Sequence, residues 1–489
     1  MTDRSGHARR GRQLALLLVA ALLVAACGLR TDEPSVSSGP VGGSADAQLG
    51  GTAAEPIAGD LAESASGGAA AEDGPESPSE SGGPSTGPGT SDAAVADDGA
   101  TGDQGAPAVV SPENCTTNPG QTDTGVTGSE ILIGGITGEG GPADSTLAPY
   151  KVGMAAGIAE INARGGICGR QLRIVYESTG GSADRYGKAA RELIENEGVF
   201  ALTAVDLAHQ GGANYIADQR VPVIGGESAA NTWYQNPMYY PIGNQFKGTA
   251  MMADWAVKNN RGTKFAILSL ALAVSQEGCA ATRARLQELK ADIVYEASVP
   301  VGSADLTSYV QQARSNGADA ILQCFDVGTG VALMRTLEQQ RFSPYVGAVS
   351  GTADTLVLDA ASAEVLEGME VNFPTPAWTD DSPVMAQYRR SHAAVGGGDR
   401  HSSFGIRGYI AAKLMEFAFS SVGPELTREK VIAFLDSLDA GEMDLGGLMP
   451  PDQTFIPDSN GFHREPGCSR QYVIRDSEFV LVSDGWTCI

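Results

Sequence analysis

The feature that most constrains the fold of this chain is an alternation of short apolar strands with amphipathic helices, which begins near Glu130. Strands are predicted at 131–133, 172–176, 200–204 and 221–224, and helices between them at 149–162, 183–195 and 210–219. Such an alternation predicts a parallel sheet covered by helices on both faces.

The alternation restarts at Phe246 with a second block of similar size. It predicts helices at 246–258, 278–289, 306–315 and 330–340, and strands at 265–268, 293–299, 320–323 and 345–349. Two similar blocks predict an α/β protein with two related lobes. Beyond Met369 the pattern gives a strand, two helices at 384–394 and 404–421, and a hairpin, which is enough chain to cross between lobes more than once. We expect one domain over 115–489, with lobe 1 at about 122–245 plus a C-terminal return and lobe 2 at about 246–375 plus part of the C-terminal segment.

The N-terminal region has the pattern of a secretory signal. Arginines up to Arg12 precede an apolar run from Leu14 to Ala26, which is too short to span a bilayer. Cys27 directly follows small residues and resembles the cysteine of a bacterial lipobox. That resemblance implies cleavage after residue 26, acylation of Cys27 and a lipid anchor on the outer face of the cell membrane. An ordinary signal peptide with an incidental cysteine is the alternative.

Residues 28–114 are predicted to be a flexible linker. They hold fifteen Asp and Glu against one basic residue, Arg30, and no aromatic residue, so they lack the apolar surface needed to fold. An unfolded segment of this length has an end-to-end distance of about 50 Å. The formal net charge of the whole chain is −26, which argues against nucleic acid as a partner because phosphate binding requires clustered Lys and Arg.

Six cysteines remain after Cys27, and an even number in an exported chain indicates disulfides. They allow fifteen pairings, of which we favour the sequential one. The last two flank the predicted hairpin, the middle two lie at a helix start and a strand end, and the first two are left by elimination. The favoured pairs are Cys115 with Cys168, Cys279 with Cys324, and Cys468 with Cys488. We predict neither a metal site nor a cofactor, since the sequence has no zinc-type cysteine spacing and no haem, flavin or nucleotide signature.

The segment 158–172, IAEINARGGICGRQL, resembles the first helix, glycine turn and second-strand start of the branched-chain amino acid type of solute-binding protein. Further matches lie at 221–224, 306–317 and 472–474, and the resemblance covers about 122–486. It implies two Rossmann-like lobes joined by three crossings, the type I periplasmic binding protein fold, with a small-molecule ligand in a central cleft. It also implies a partner, the permease subunits of an ABC importer, and a small polar solute such as an amino acid.

The resemblance also suggests which loops line the cleft. In the first lobe these are the loop after the first strand, 138–144, and the loops after the third and fourth strands. The residues expected to contact ligand there are Asp206, Ala208, Glu227, Ser228, Ala229 and Asn231. In the family these loops hold a ligand carboxylate, so the two acids Asp206 and Glu227 put an amino acid ligand in doubt.

In the second lobe the expected ligand contacts are Ser275, Phe325, Asp326 and Ser350. Amino acid binders of the family usually place an acid near the last loop to pair with the ligand amine, whereas this chain has Ser350-Gly351-Thr352 there. Either Asp326 replaces that acid or the ligand lacks an amine.

Two other functions fit parts of the sequence. A ligand sensor that signals to a membrane protein would share the fold and the cleft. A serine esterase is suggested by Gly226-Glu227-Ser228-Ala229-Ala230, which resembles a nucleophile elbow, with His392, His401 or His463 as the base. The elbow lacks its last glycine and the two α/β blocks are unlike a single hydrolase sheet, so we expect a binding protein and not an enzyme.

Overall fold

The structure is a computed structural model that describes residues 115, 117–226, 231–244, 246–483 and 485–489. The predicted signal peptide, Cys27 and the linker before Cys115 lie outside the described residues, as do Glu227, Ser228 and Ala229. Within the described part of the chain, no helix combines the length and apolar character needed to cross a membrane.

The first lobe is built on a five-stranded, fully parallel sheet. Its strands are β1 (Glu130–Thr137), β2 (Gln171–Ser178), β3 (Ala201–Val205), β4 (Val223–Gly226) and β5 (Tyr239–Tyr240), in the order β2-β1-β3-β4-β5. The helices between them are α1 (Asp144–Leu147), α2 (Pro149–Ala163), α3 (Ala183–Arg191) and α4 (Ala213–Asp218). Strand β3 is buried at every position, as expected for a strand covered on both faces.

The second lobe has a larger, mixed sheet. Its strands are β6 (Lys264–Leu270), β7 (Asp292–Val299), β8 (Ala320–Cys324), β9 (Tyr345–Ala348), β10 (Glu370–Phe373), β11 (Cys468–Arg475), β12 (Glu478–Leu481) and β13 (Thr487–Cys488). Strands β6 to β10 are parallel, and the order is β12-β11-β10-β9-β8-β6-β7, with β13 on β11. Strand β11 runs antiparallel to β10, so the end of the chain completes the second sheet. The helices of this lobe are α5 (Phe246–Lys258), α6 (Ala273–Glu288), α7 (Thr307–Ser315), α8 (Val327–Gln339), α9 (Thr355–Ala360) and α10 (Ala363–Leu366).

Between β10 and β11 the chain returns to the first lobe. It forms α11 (Pro383–Ala394), α12 (Ser403–Val422) and α13 (Arg428–Leu435), and α12 packs against α2 and β4. The described chain therefore passes between the lobes three times: after β5, after β10 and after α13. The predicted α/β fold with two Rossmann-like lobes is confirmed.

Glycines allow α2 and α12 to pack with their backbones in contact. A Cβ atom on Gly153 would lie 1.7 Å from the carbonyl oxygen of Gly405, and one on Gly408 would lie 2.1 Å from that of Tyr150. No side chain fits at either position unless the helices move apart. This close contact fixes the first turns of α12, which contribute to the cavity described below.

The three disulfides join the cysteines in sequential order, which confirms the favoured pairing. Cys468 and Cys488 lie opposite each other on β11 and β13. The pair Cys279–Cys324 joins α6 to the end of β8 in the second lobe. One predicted boundary nearby is wrong, because α6 begins at Ala273 and not at Gly278.

Candidate functional site

A cavity lies between the two lobes at the carboxyl ends of their parallel strands. Residues that follow β1, β3, β6, β7, β8 and β9 line it, together with the first turns of α12. The volume of the cavity, measured as the space that the centres of water molecules can occupy, is about 90 Å³. This is room for several water molecules. Open parallel sheets bind ligands at this location, because loops from several strands converge there.

The walls of the cavity are mainly apolar. The apolar lining side chains come from both lobes: Pro142, Ala143, Leu147, Leu207, Leu270, Leu272, Val274, Val301, Phe325, Val349 and Phe404. The polar ones are fewer: Thr146, Ser275, Asp326, Ser350 and Arg407. Such a cavity favours a small molecule with an apolar body and few polar groups.

Among these lining residues, the cationic one is Arg407. The sequence did not predict that Arg407 belongs to the site. It is only 1% exposed, and its Nη2 donates a 2.8 Å hydrogen bond to Ser350 Oγ. Its guanidinium carbon lies 4.9 Å from the centre of the Phe404 ring. Because Arg407 lies on α12 of the first lobe and Ser350 follows β9 of the second, this hydrogen bond joins the lobes across the cavity.

Ser275 lines the cavity, but its hydroxyl is already engaged. Its Oγ accepts a 2.8 Å hydrogen bond from the Leu270 amide and donates a 2.5 Å hydrogen bond to the Cys324 carbonyl. Since α6 begins at Ala273, Ser275 lies in the first turn of that helix and not in a loop. Its hydroxyl holds the ends of β6 and β8 together.

Phe325 and Asp326 reach the cavity from the end of β8. Phe325 is buried and contributes its ring to the apolar wall. Asp326 is half-buried and caps α8, since its Oδ1 accepts a 2.7 Å hydrogen bond from the Thr329 amide. Four of the predicted residues, Ser275, Phe325, Asp326 and Ser350, are thus brought together at this cavity.

Three predicted residues of the first lobe lie elsewhere. Asp206 and Ala208 are buried behind the wall, where an Asp206 oxygen accepts a 2.7 Å hydrogen bond from the Ala208 amide and the other accepts from the Thr179 hydroxyl. Burial raises the pKa of the Asp206 carboxyl. These contacts shape the loop that presents Leu207 to the cavity.

Asn231 is exposed, and its amide lies 3.5 Å from Glu277 on the second lobe. Glu227, Ser228 and Ala229 are outside the described residues.

A cluster of aromatic rings, from residues that follow β3 and β4, belongs to the core of the first lobe. Trp233, Tyr239 and His209 are fully buried, with edge-on ring contacts between them at 4.9 to 6.4 Å. Burial lowers the pKa of His209 to about 3, so its imidazole is neutral at pH 7.

The three histidines considered as a catalytic base do not line the cavity. His463 is buried, with Nδ1 2.7 Å from the Tyr239 carbonyl, to which it donates. His392 and His401 pack on each other with ring centres 4.6 Å apart, near Tyr388. Among the described residues there is also no group of three or more His, Cys, Asp or Glu that could hold a metal ion.

The two sheets, one parallel and one mixed, the three crossings and the cavity between the lobes define a two-lobed binding protein. The chain belongs to the periplasmic binding protein family, whose model matches residues 130–462. It is 23% identical over 340 residues to Leu/Ile/Val-binding protein homolog 7 of Brucella abortus (strain 2308), which covers 65% of this chain and 84% of that protein.

Solved structures share the fold. A fatty acid ABC transporter substrate-binding protein from Thermomonospora curvata matches with a TM-score of 0.66 and 16% identity, over 76% of this chain and 95% of that one. The branched-chain amino acid transporter substrate-binding protein LivJ from Streptococcus pneumoniae, solved in complex with isoleucine, matches with a TM-score of 0.61 and 14% identity, over 74% and 99%. The chain is thus an extracytoplasmic type of solute-binding protein related to branched-chain amino acid binders.

Proposed function

We propose that this protein is the solute receptor of an ABC importer and captures a small molecule with an apolar body and a polar head. The observation that carries the proposal is the cavity between the lobes, with apolar walls from both and the Arg407–Ser350 hydrogen bond across it. A ligand in this position contacts both lobes at once, so its binding favours the closed arrangement. The relatives named above, one an amino acid binder and one a fatty acid binder, support a ligand of this kind.

The proposal extends to delivery and location. We propose that the closed form docks on the permease subunits of the importer and that acylated Cys27 holds the protein at the outer face of the membrane through the linker. The lipobox-like sequence before Cys27 supports the anchor. Labelling cells with radioactive palmitate tests it: the wild-type protein should carry the label and sediment with membranes, while Cys27→Ala should do neither. Label on the variant would contradict the assignment.

Ligand capture is tested by thermal unfolding of the purified domain with a panel of aliphatic amino acids, aliphatic acids and their amides. A ligand at one hundred times its dissociation constant adds about 2.7 kcal/mol to the unfolding free energy, which raises the melting temperature by roughly 5 °C. Leu272→Asp places a charge in the apolar wall and should abolish the shift. Val480→Asp makes the same change on the exposed β12 strand and should keep it. Equal shifts in the two variants would refute the cavity as the binding site.

A further inference from the structure

A second set of contacts joins the two lobes beside the cavity. Residues 353–355 connect β9 to α9 in the second lobe, and residues 401–403 lead into α12, where the chain has returned to the first lobe. The two segments run antiparallel. Two backbone hydrogen bonds of 2.9 Å join them, from the amide of Ser403 to the carbonyl of Ala353 and from the amide of Thr355 to the carbonyl of His401. We call the pair of segments 353–355 and 401–403 the interlobe ladder.

The side chain of Arg400 strengthens the ladder. Its Nη2 donates a 3.0 Å hydrogen bond to Asp354 Oδ2 in the second lobe and a 2.5 Å hydrogen bond to the Ser145 carbonyl in α1 of the first lobe. Asp354 is fully buried, and its Oδ1 accepts a 2.8 Å hydrogen bond from the Leu356 amide as the cap of α9. A buried carboxylate is costly without a cationic partner, so Arg400 binds the lobes together through this pair.

The ladder holds the cavity walls without contributing to them. The lining residues named above include none of 353–355 and 401–403. Ser350 and Gly351, which do line the cavity, lie just before the first segment, and Phe404 follows the second directly. The hydrogen bonds of the ladder therefore hold the walls from the two lobes together whether or not a ligand lies between them.

We infer that the interlobe ladder is a latch that keeps the lobes closed without help from a ligand and must open before a ligand enters or leaves. This inference goes beyond the proposed function, because it concerns the ligand-free protein and holds for any ligand. The three crossings already keep the two segments close. Pairing is therefore intramolecular, and a few hydrogen bonds suffice to favour the closed form. Slow loading and long retention of the ligand follow from such a latch.

The test measures the distance between the lobes of the ligand-free protein by double electron–electron resonance. Spin labels are attached at Asp184→Cys and Ser308→Cys, which lie in exposed first turns of α3 and α7. These helices follow β2 and β7, the strands at the ends of their sheets away from β5 and β10, so the labels report opening of the cleft. The full chain is used with Cys27→Ala, because the other native cysteines are paired.

Thr355→Pro removes the ladder with little effect on the local fold. It deletes the amide that donates to the His401 carbonyl and the Oγ1 that accepts from the His401 amide at 3.2 Å. Proline suits this position, since Thr355 is the first residue of α9 and Asp354 before it has φ −150° and ψ 146°. We expect the ratio of closed to open protein to fall by at least about tenfold, the equivalent of two lost hydrogen bonds.

Two control variants match the two parts of the latch. Ala363→Pro makes the same change at the exposed first residue of α10 and should keep the closed distance. Arg400→Gln should open the lobes as Thr355→Pro does. Arg173→Gln breaks an ion pair with Glu130 inside the first lobe and should not.

Melting temperatures check that each variant folds, and Arg400→Gln decides the matter if Thr355→Pro does not fold. A ligand-free reference protein with its main distance longer than that of the closed structure would overturn the latch. A folded Thr355→Pro with the distance distribution of Ala363→Pro would overturn it as well. Either result would leave the proposed function intact, because no ligand enters the measurement.

Discussion

Replacing Gly153 with alanine tests whether the close packing of α2 on α12 shapes the ligand cavity. The new Cβ would lie 1.7 Å from the Gly405 carbonyl oxygen, and real Cβ atoms essentially never come within 3.0 Å of another heavy atom. The two backbones must therefore separate by about 1.3 Å, the difference between these distances. Because Phe404 and Arg407 flank Gly405, the same movement displaces two cavity-lining residues.

The direction of the change in stability distinguishes an effect of helix packing from an effect of intrinsic helix propensity. Alanine favours a helix over glycine by about 1 kcal/mol, so propensity alone predicts a more stable protein. Overpacking a close helix contact instead costs about 3 kcal/mol, because contacts along the whole interface are stretched. We expect Gly153→Ala to lower the melting temperature by about 4–5 °C. The affinity for any ligand of the cavity should fall with it.

Differential scanning calorimetry measures the melting temperature, and Gly328→Ala supplies the control. Gly328 also lies in a helix, α8, but its nearest contact for an added Cβ is 3.9 Å away. That variant should match or exceed the stability of the wild type. A melting temperature for Gly153→Ala within about 1 °C of the wild type would refute the argument from the helix contact.

Three further predictions concern the disulfides and one half-buried imidazole. Changing Cys279 and Cys324 together to serine should cost about 4 kcal/mol of unfolding free energy, from the 45-residue separation, and should also weaken ligand binding because Cys324 lines the cavity. Changing Cys468 and Cys488 to serine should cost about 3 kcal/mol of unfolding free energy, from a sequence separation of 20, and should leave the ligand affinity unchanged. Denaturant unfolding measures the free energies and titration calorimetry the affinities. Equal ligand affinities in the two double variants would contradict the expected effect of the Cys279–Cys324 disulfide on binding. Desolvation, helped by a neighbouring histidine, lowers the pKa of His401 to about 4 from about 6.5, so the fold favours the neutral ring. The free energy of unfolding should therefore fall by on the order of 1–2 kcal/mol, after allowance for the partial exposure of the ring, as pH falls from about 6.5 to about 4. His401→Asn should remove this part of the pH dependence, as denaturant unfolding at several pH values would show. An unchanged slope of unfolding free energy against pH in the variant would contradict this role of His401.

The strand and helix pattern was predictable because buried parallel strands are apolar runs and their covering helices have one apolar face. Where that signal is weak, the prediction failed. The first turns of α6, Ala273 to Glu277, are mostly small or polar, and no side chain caps the helix, so the sequence pattern begins only at Gly278. Strand β5 has two residues and exists through its pairing with β4, which no local pattern reveals.

The sequence could predict a residue of the candidate site only where that residue follows a predicted strand, because the loops at the carboxyl ends of parallel strands lie together. Ser275, Phe325, Asp326 and Ser350 reach the cavity for that reason. Arg407 does not follow a strand. It lies on α12, and its side chain meets Ser350 of the second lobe and the Phe404 ring only in the folded chain, where it is buried. One signal was available: Arg407 is the first charged residue within α12, in the end of the helix that contributes to the cavity.

The pairing of β10 with β11 governs how this protein can be made. Glu370 pairs with Val473, about one hundred residues later in the chain. At a synthesis rate of about 5–20 residues per second, the ribosome needs roughly 5–20 s to supply the partner strand. Until β11 pairs, the second sheet has an open edge at β10, which is a template for pairing with other chains. The edge of the second sheet is therefore closed late, by a strand near the end of the described chain.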